Sequence, residues 1–362
     1  MSPRTDPEVT PVATTLDVAF VVPRSGPAGL FGPACEACGD LAAAELNEAG
    51  GVLGREVRLH PVDGGRAPAA VAAEVAGLLD AGVVGAVSGW HISAVRQALA
   101  PVVGGRVPYV YAPLYEGGER TPGIFLTGET PENQVLPGLR WMAAELGVRT
   151  WCVVGNDYVW PRGSARVVRR WARGTPDVRV LDETFLPLGT DDFGPAVERV
   201  RRSGAQGVLM FLVGSDAVGF NRAFAAAGAD RGRVRFSPLM EENMLLATGA
   251  EATRELYAAA GWFETLATAS ALEFSGRYAA RFGVRAPVPG ALAESCFEAV
   301  TLLGALAGRA RSTDPAALLA VAESTGFDGP RGAVSLHDGH LRQDVYLARA
   351  DGLSFDVLDR LA

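Results

Sequence analysis

Two aromatic side chains, Tyr158 and Trp160, follow a short apolar run that ends in Gly155, Asn156 and Asp157. An apolar run, a Gly-Asn-Asp turn and then a proline are typical of a strand, a turn and the start of a helix. In an open parallel sheet, such a turn lies at the carboxyl end of a strand, where ligands usually bind. Two rings at that position suit a small, partly apolar ligand. The alternative is that both rings only pack against the edge of the sheet.

Residues that could carry out hydrolysis are present, but they do not form a known catalytic motif. The nucleophile would be Ser93 or Ser164 with His91 as the base, or Cys152, which has no histidine near it in sequence. The sequence has no G-x-S-x-G, no H-E-x-x-H and no G-x-G-x-x-G after its first predicted strand. The sequence therefore gives little support for catalysis.

The cysteines and basic residues argue against a metal site and against most cofactor chemistry. Cys35 and Cys38 form a single C-x-x-C pair inside a predicted helix, without a second pair or a nearby histidine, which is weak evidence for zinc. All 33 basic residues are arginine, so a P-loop lysine and a Schiff-base lysine are excluded. We predict small buried cysteines, no metal ion and no cofactor.

Charge and length limit the possible partners and the number of domains. The net charge of −8 argues against a nucleic-acid partner, which usually needs a concentrated basic face. Arg166, Arg169, Arg170 and Arg173 recur at helical spacing, which favours a solvated helix face over a phosphate site. A chain of 362 residues favours two lobes of roughly 150 residues each.

Apolar runs of five to eight residues alternate with longer Ala-rich segments of helical period from Leu16 onward. This βαβ series predicts an α/β protein with two parallel sheets, each flanked by helices, and a ligand cleft between the two lobes. The predicted units are a flexible N-terminus at 1–15, lobe one at 16–122 plus about 262–331, and lobe two at 123–261 plus about 332–362. Several chain crossings between the lobes would form a hinge.

The first 15 residues are polar and proline-rich, without an apolar signal-peptide core, and no apolar run approaches 18 residues. The sequence therefore predicts no membrane insertion. It also predicts a cytoplasmic protein if residue 1 is the native start, and otherwise an extracytoplasmic protein whose leader has been removed.

Four motifs carry a resemblance to a known family. They are NEAGGVLGREV at 47–57, GWHISAVRQALAPV at 89–102, YAPLYEG at 111–117 and GNDYVWPR at 155–162. Over essentially its whole length the chain resembles the type I periplasmic-binding-protein family of branched-chain amino acid, amide and urea binders. The last three motifs together are most similar to the amide-sensing branch, which includes the regulator of aliphatic amidase expression.

The resemblance implies a set of ligand contacts. Ser93 matches a serine that binds the ligand carbonyl, and Tyr111 matches the tyrosine that opens the YxxxYEG motif. Tyr158 and Trp160 match an aromatic pair on lobe two, although the regulator has tyrosine where this chain has Trp160.

Other positions depart from the family pattern or allow a plainer role. His91 stands where a tyrosine is expected, and Pro113 with Leu114 replace threonine and proline. The resemblance also directs the loop of Ser215 toward the ligand, although a serine there suits a helix N-cap. Glu241, like its neighbour Glu242, either accepts a hydrogen bond from the ligand or is a solvated carboxylate.

The predicted function is a non-catalytic solute-binding protein that closes on a short aliphatic amide or urea. It would serve an ABC transporter, with the permease as partner, or act as a cytoplasmic amide sensor with a regulatory protein as partner. The alternatives are a branched-chain amino acid receptor and a scaffold that has lost ligand binding.

Overall fold

Two mainly parallel β-sheets, each covered by helices, make up the computed structural model, which describes residues 14–361. The predicted α/β architecture is confirmed, and the predicted flexible N-terminus falls almost wholly outside the described residues. The first sheet contains β1 (Thr15–Val22), β2 (Glu56–Asp63), β3 (Ala86–Gly89), β4 (Tyr109–Tyr111), β5 (Ile124–Leu126), β11 (Gly326–Gly329), β12 (Gly332–His337) and β13 (His340–Arg342). The second contains β6 (Thr150–Asn156), β7 (Arg179–Leu186), β8 (Gly207–Phe211), β9 (Val234–Ser237), β10 (Leu256–Ala260), β14 (Tyr346–Asp351) and β15 (Ser354–Arg360).

The helices fall into two groups that follow the sheets. Those of lobe one are α1 (Gly32–Glu48), α2 (Pro68–Asp80), α3 (Ser93–Val103), α9 (Ala269–Phe282), α10 (Ala291–Ala310) and α11 (Pro315–Val321). Those of lobe two are α4 (Val135–Glu145), α5 (Val159–Arg173), α6 (Gly194–Ser203), α7 (Ser215–Ala226) and α8 (Glu242–Thr248). Short 3-10 helices lie at Pro27–Phe31, Ala250–Ala252 and Gly283–Arg285.

Strand order places the carboxyl ends of the parallel strands along one edge of each sheet. In lobe one the order is β11-β12-β13-β5-β4-β3-β1-β2, and β1 to β5 are parallel. In lobe two the order is β15-β14-β10-β9-β8-β6-β7, and β6 to β10 are parallel. The connections that leave these carboxyl ends therefore form the two walls on which a ligand site can be built.

The chain passes between the sheets three times, and two of these crossings lie later than predicted. Ile124–Leu126 pairs in parallel with β4, so the first crossing follows β5 and does not precede residue 123. Strands β12 and β13 also belong to the first sheet, where His340 pairs with Leu126. Only β14 and β15 of the predicted lobe-two tail join the second sheet, because strand alternation alone does not reveal the partner sheet.

A buried ion cluster ties the crossings together. The Nε atom of Arg331 donates to Oε2 of Glu298 at 2.8 Å, and Nη1 donates to Oε1 of Glu129 at 3.3 Å. The same Glu129 oxygen accepts from the backbone N–H of Gly261 at 2.8 Å. Burial raises the pKa of Glu294, whose Oε2 lies 3.4 Å from Nε of Arg331. The guanidinium of Arg331 therefore lies within ion-pair distance of three carboxyl groups where the chain crosses between the lobes.

Helix α10 and the cysteines belong to the protein interior. By length and composition α10 could cross a membrane, but 72% of its apolar window is buried against the rest of the molecule, as in a core helix. Cys35, Cys38, Cys152 and Cys296 are all buried and free. The prediction of small buried cysteines is confirmed.

Candidate ligand-binding site

Ser93 begins helix α3, directly after the connection that leaves β3. Its side chain is buried beside the Tyr111 hydroxyl, and its Oγ atom makes no well-formed hydrogen bond with the described residues. The first N–H groups of a helix have no partner within the helix, and they attract negative charge. Ser93 therefore presents a hydroxyl beside a helix N-terminus, which suits a ligand carbonyl or carboxylate oxygen.

Trp90 lies on the same connection and was not among the predicted site residues. The indole is 1% exposed, and its ring packs edge-on against Phe31 with the centroids 5.1 Å apart. Its Nε1 donor has no partner, although buried indole N–H groups usually find one. The sequence signal was available, since Trp90 stands three residues before Ser93 at the end of a predicted strand.

His91 is fixed inside lobe one. Its Nδ1 atom lies 3.1 Å from the carbonyl oxygen of Val21, and its Nε2 atom lies 2.6 Å from the hydroxyl of Tyr109. A carbonyl only accepts, so Nδ1 carries the proton and Nε2 accepts from Tyr109. Burial lowers the pKa of His91 to about 3, so the ring is neutral at pH 7. Both ring nitrogens are used within the lobe and are not free for a ligand or for Ser93.

Tyr111 is fully buried at the end of β4. Its hydroxyl donates to the backbone oxygen of His91 at 2.9 Å. The guanidinium carbon of Arg96 lies 5.4 Å from the centre of the Tyr111 ring, and Arg96 is ion-paired with Glu116 and Glu119 at 2.6 Å each. Tyr111 thus stiffens the β3–α3 connection that presents Ser93.

Tyr158 and Trp160 have different environments although they are two residues apart. Tyr158 is half-buried at the N-cap of α5, and burial, followed by Tyr111 and Glu116, raises its pKa. Those two neighbours belong to lobe one, so the Tyr158 ring faces across the cleft. Trp160 is 3% exposed and packs edge-on against Phe211 at 5.6 Å within lobe two. The packing alternative therefore describes Trp160, whereas a ligand contact of Tyr158 remains a prediction.

The two lobes are in direct contact. A Cβ atom added to Gly163 of α5 would lie 2.6 Å from Cβ of Glu116 in lobe one. A Cβ atom added to Gly214, which precedes α7, would lie 1.9 Å from the carbonyl oxygen of Pro27 in lobe one. Such distances require glycine at both positions, so the structure is that of a closed cleft.

A small enclosed cavity lies at the back of this cleft, and Leu114 and Glu241 are among the residues that line it. Its volume of about 10 Å³ corresponds to roughly one water molecule. Pro113 is buried, and its carbonyl oxygen would lie 2.0 Å from a Cβ atom on Gly128. A cavity of this size does not hold an amide or an amino acid, and neither Ser93 nor Tyr158 is among its lining residues.

Glu241 and Glu242 are buried carboxyls at the start of α8. Glu241 accepts from Nδ2 of Asn243 at 2.9 Å and from the N–H of Met244 at 3.2 Å, and burial raises its pKa to about 7. Burial and the neighbouring Glu241 raise the pKa of Glu242 to about 8. Oε2 of Glu242 has no partner, and both carboxyls adjoin Gly290 at the N-terminus of α10. The alternative of solvated carboxylates is wrong for both residues, since they are at most 4% exposed.

The comparisons with known proteins identify the family. A family model described as periplasmic binding protein matches residues 15–354. The chain belongs to the periplasmic binding protein family. The predicted resemblance is confirmed at this level, whereas the amide-sensing branch remains a prediction.

The curated relatives and solved structures of this binding protein are distant. Leu/Ile/Val-binding protein homolog 6 of Brucella melitensis is 29% identical over 172 residues, which are 46% of this chain and 44% of the relative. The match thus spans under half the length of the curated relatives. A periplasmic binding protein of Burkholderia mallei superposes with a TM-score of 0.84 at 20% identity, covering 96% of this chain and 95% of the other.

Two further structures contain ligands. A solute-binding protein of an ABC transporter from Rhodopseudomonas palustris, in complex with p-hydroxybenzoic acid, has a TM-score of 0.83 at 21% identity, covering 96% of each chain. The branched-chain amino acid binding protein LivJ of Streptococcus pneumoniae, in complex with isoleucine, has a TM-score of 0.80 at 21% identity, covering 95% of this chain and 99% of the other. At these identities the similarity establishes the fold of this binding protein.

Ser215 does not have the helix N-cap role that its position suggested in this binding protein. It is the first residue of α7 and its side chain is exposed, without a capping hydrogen bond. The following Asp216 is buried and accepts from Nδ2 of Asn156 at 2.6 Å and from the N–H of Gly189 at 2.9 Å. This loop is held by Asp216, which joins the ends of β6 and β8.

One hydrogen-bonded chain in this binding protein has the order of a catalytic triad. Oγ of Ser335 lies 3.1 Å from Nε2 of His337, and Nδ1 of His337 lies 2.8 Å from Oε1 of Glu323. Ser335 is in the middle of β12 and pairs with strands on both sides. Backbone N–H groups of such a strand lie in the plane of the sheet, so none is aimed at an oxyanion on its face. Within residues 14–361, no group of three or more His, Cys, Asp or Glu side chains is arranged to hold a metal ion.

Proposed function

We propose that this periplasmic binding protein is the solute-binding component of an ABC transporter and closes its two lobes on a small organic ligand. The observation that carries the proposal is the Ser93 hydroxyl, which is buried and unpartnered at the start of α3. A buried polar group without a partner costs free energy, and a ligand oxygen would satisfy it when the cleft closes. Helix α3 contacts α5 of lobe two, so a ligand at Ser93 would lie between the lobes.

The ligand we propose first is a short aliphatic amide or urea. Its carbonyl oxygen would accept from Ser93 and from the first N–H groups of α3, while the Tyr158 ring covers its apolar part. A molecule with four heavy atoms gains at most about −6 kcal/mol, which corresponds to roughly tens of micromolar. Selection of so small a ligand requires a closed cleft such as the one that Gly163 and Gly214 permit.

A branched-chain amino acid is the second candidate, and a specific observation favours it. Oε2 of Glu242 is a buried carboxyl oxygen without a partner, and a ligand ammonium group beside it would lower the raised pKa of this carboxyl and pair with its ionised form. The amino acid carboxylate would then occupy the N-terminus of α3 beside Ser93. The family relatives named for Leu, Ile and Val binding support this candidate.

Membership of the family favours a location outside the cytoplasm, with an ABC permease as partner. The predicted role as a cytoplasmic amide sensor with a regulatory partner is the less supported form of the proposal. Both roles use the same event, because a ligand that binds the closed form better shifts the population toward closure.

A thermal-shift screen tests the proposal and separates the candidates. The panel is acetamide, propionamide, formamide, urea, leucine, isoleucine, valine and benzoate. Stabilisation by an amide or urea alone supports the first candidate, and stabilisation by the amino acids alone replaces it with the second.

The Tyr158→Ala variant tests the location of the site. It should weaken binding of the active compound by more than about tenfold in calorimetry, since its ring covers the ligand. Tyr346→Ala removes a partly buried tyrosine of β14 and should leave affinity unchanged. Equal affinity in both variants would show that the ligand does not lie against Tyr158.

A further inference from the structure

Helix α5 carries a continuous basic face on the surface of lobe two. Five exposed arginines lie on this helix, at Arg162, Arg166, Arg169, Arg170 and Arg173. At 3.6 residues per turn these positions fall within an arc of about 100°. The opposite side of the helix is buried against the sheet, so the arginine side chains extend into solvent together. We call the five residues the α5 basic face.

Three of these arginines have no acidic partner. Arg162 is ion-paired with Asp157, and Arg169 with Glu183 at 3.1 Å. Arg166, Arg170 and Arg173 form no ion pair with any residue between 14 and 361, and the sequence from 158 to 176 contains no Asp or Glu. Their charge is therefore available to an outside partner.

Neighbouring groups add a further arginine to the basic face. They also place the apolar side chains of Trp171 and Leu181 beside it, and we call these two residues the apolar border. Arg140 of α4 is exposed and lies 5.8 Å from the ring of Trp171, which is itself partly exposed. A groove of about 310 Å³ lies between the end of α5 and β7. Its lining includes Arg173, Arg179 and Leu181, of which Leu181 is 44% exposed. Cations and exposed apolar side chains thus share one surface.

The arginines of the adjacent helix α6 are arranged differently. Arg199 is ion-paired with Asp182, and Arg201 and Arg202 are both ion-paired with Glu198. The unpaired arginines of α5 thus differ from the ion-paired arginines of α6, in a chain whose net charge is −8. A net negative protein with a local cationic surface is expected to orient that surface toward an anionic partner.

We propose that the α5 basic face binds the surface of an anionic lipid bilayer and holds the protein there without insertion. Clusters of four to eight basic residues on an amphipathic helix are attracted to anionic lipids, and each adds to the binding free energy. The apolar border can enter the headgroup region at the same time. Because Gly163 of α5 contacts Glu116 of lobe one, the bound helix would place the edge of the cleft near the membrane.

Co-sedimentation with lipid vesicles tests the proposal and does not depend on the identity of the solute ligand. The probes are phosphatidylcholine vesicles with about 30% phosphatidylglycerol and vesicles of phosphatidylcholine alone, at about 0.05 M and 0.5 M NaCl. We expect binding only to the anionic vesicles, and we expect high salt to abolish it. Absence of binding to anionic vesicles at low salt would overturn the proposal and leave an acidic protein as the remaining partner for this surface.

Two triple variants with the same loss of charge make the test specific. Arg166→Gln, Arg170→Gln and Arg173→Gln together should weaken vesicle binding by at least about tenfold. Arg199→Gln, Arg201→Gln and Arg202→Gln together should change it by less than about twofold, because those side chains are already neutralised by acids. Equal weakening in the two variants would overturn the assignment to α5. Thermal unfolding of both variants confirms that each is folded.

Discussion

Arg331 and Glu298 form an ion pair in which both side chains are at most 2% exposed, with Nε and Oε2 2.8 Å apart. Arg331 lies in the turn between β11 and β12, and Glu298 lies on α10. The same guanidinium reaches Glu129 at the first crossing, and Glu129 accepts from Gly261 at the second. The buried guanidinium at this position offsets the negative charge of carboxylates that are themselves buried.

Arg331→Met should lower the free energy of unfolding by about 3–5 kcal/mol, because the buried carboxylates lose the guanidinium that pairs with them. Urea titration measures the change. Arg285→Met replaces an exposed arginine and should change stability by less than about 0.5 kcal/mol. Equal effects of the two substitutions would show that the cluster does not support the hinge.

Glu242→Gln should make stability less dependent on pH. The pKa of Glu242 is raised to about 8 in the folded protein, so between pH 4.5 and 8 the folded state holds a proton that the unfolded chain has lost. The stability that depends on this proton is fully present below the pKa of the unfolded chain. It is lost as pH rises through the pKa of the folded protein, which is about 8. Wild type should therefore lose stability from pH 5 to 8, and the glutamine variant should lose less.

Urea titrations at several pH values in that range measure the difference. Glu251→Gln, at an exposed carboxyl that does not act on Glu242, is the control and should follow wild type. Parallel curves for Glu242→Gln and wild type would contradict the assignment of a buried protonated carboxyl.

Ser93→Ala should weaken ligand binding by more than about tenfold without lowering the stability of the ligand-free protein. The hydroxyl is buried and unpartnered, so its removal eliminates a desolvation cost in the absence of ligand. Ser88→Ala is the matched control, because Oγ of Ser88 is also buried and unpartnered but lies within β3. Calorimetry and thermal unfolding on both variants check the prediction, which fails if both lose affinity equally.

Gly163→Ala should hinder closure, because the new Cβ would lie 2.6 Å from Cβ of Glu116. We expect ligand affinity to fall several-fold and the radius of gyration with saturating ligand to stay near its open value. Gly276→Ala on α9 meets no atom within 4 Å and should leave both quantities unchanged. Alanine is favoured over glycine inside a helix by about 0.5–1 kcal/mol, so stability should not fall in either variant. Small-angle scattering with and without ligand decides the outcome.

Local sequence signals were sufficient for several elements. The helical period of the sequence from Ser93 to Val103 predicts a helix over that segment, and α3 has these bounds, with Gly104 after it. The prediction that Tyr158 lies just beyond the carboxyl end of a strand is also correct. Strand β6, a turn and the proline-containing start of α5 follow one another in that order. These signals depend on neighbours in sequence.

Other features depend on residues far away in the chain. Three-residue strands such as β5 have too few positions for a recognisable alternation. The direction of a side chain at a strand end is set by its packing partner, which is Phe211 for Trp160 and Tyr109 for His91. The burial of Glu241 follows from Gly290, almost 50 residues later. No local pattern contains that information.

The late position of β13 to β15 in the chain has a consequence for biosynthesis. β13 lies between β12 and β5 in one sheet, and β14 pairs with β10 of the other. A nascent chain that ends before residue 340 thus has an unpaired strand edge in both sheets, and such edges aggregate readily. Neither lobe can therefore complete its sheet before residues 340–360 are available for pairing. Chaperone protection of these edges is most valuable until that segment has been made.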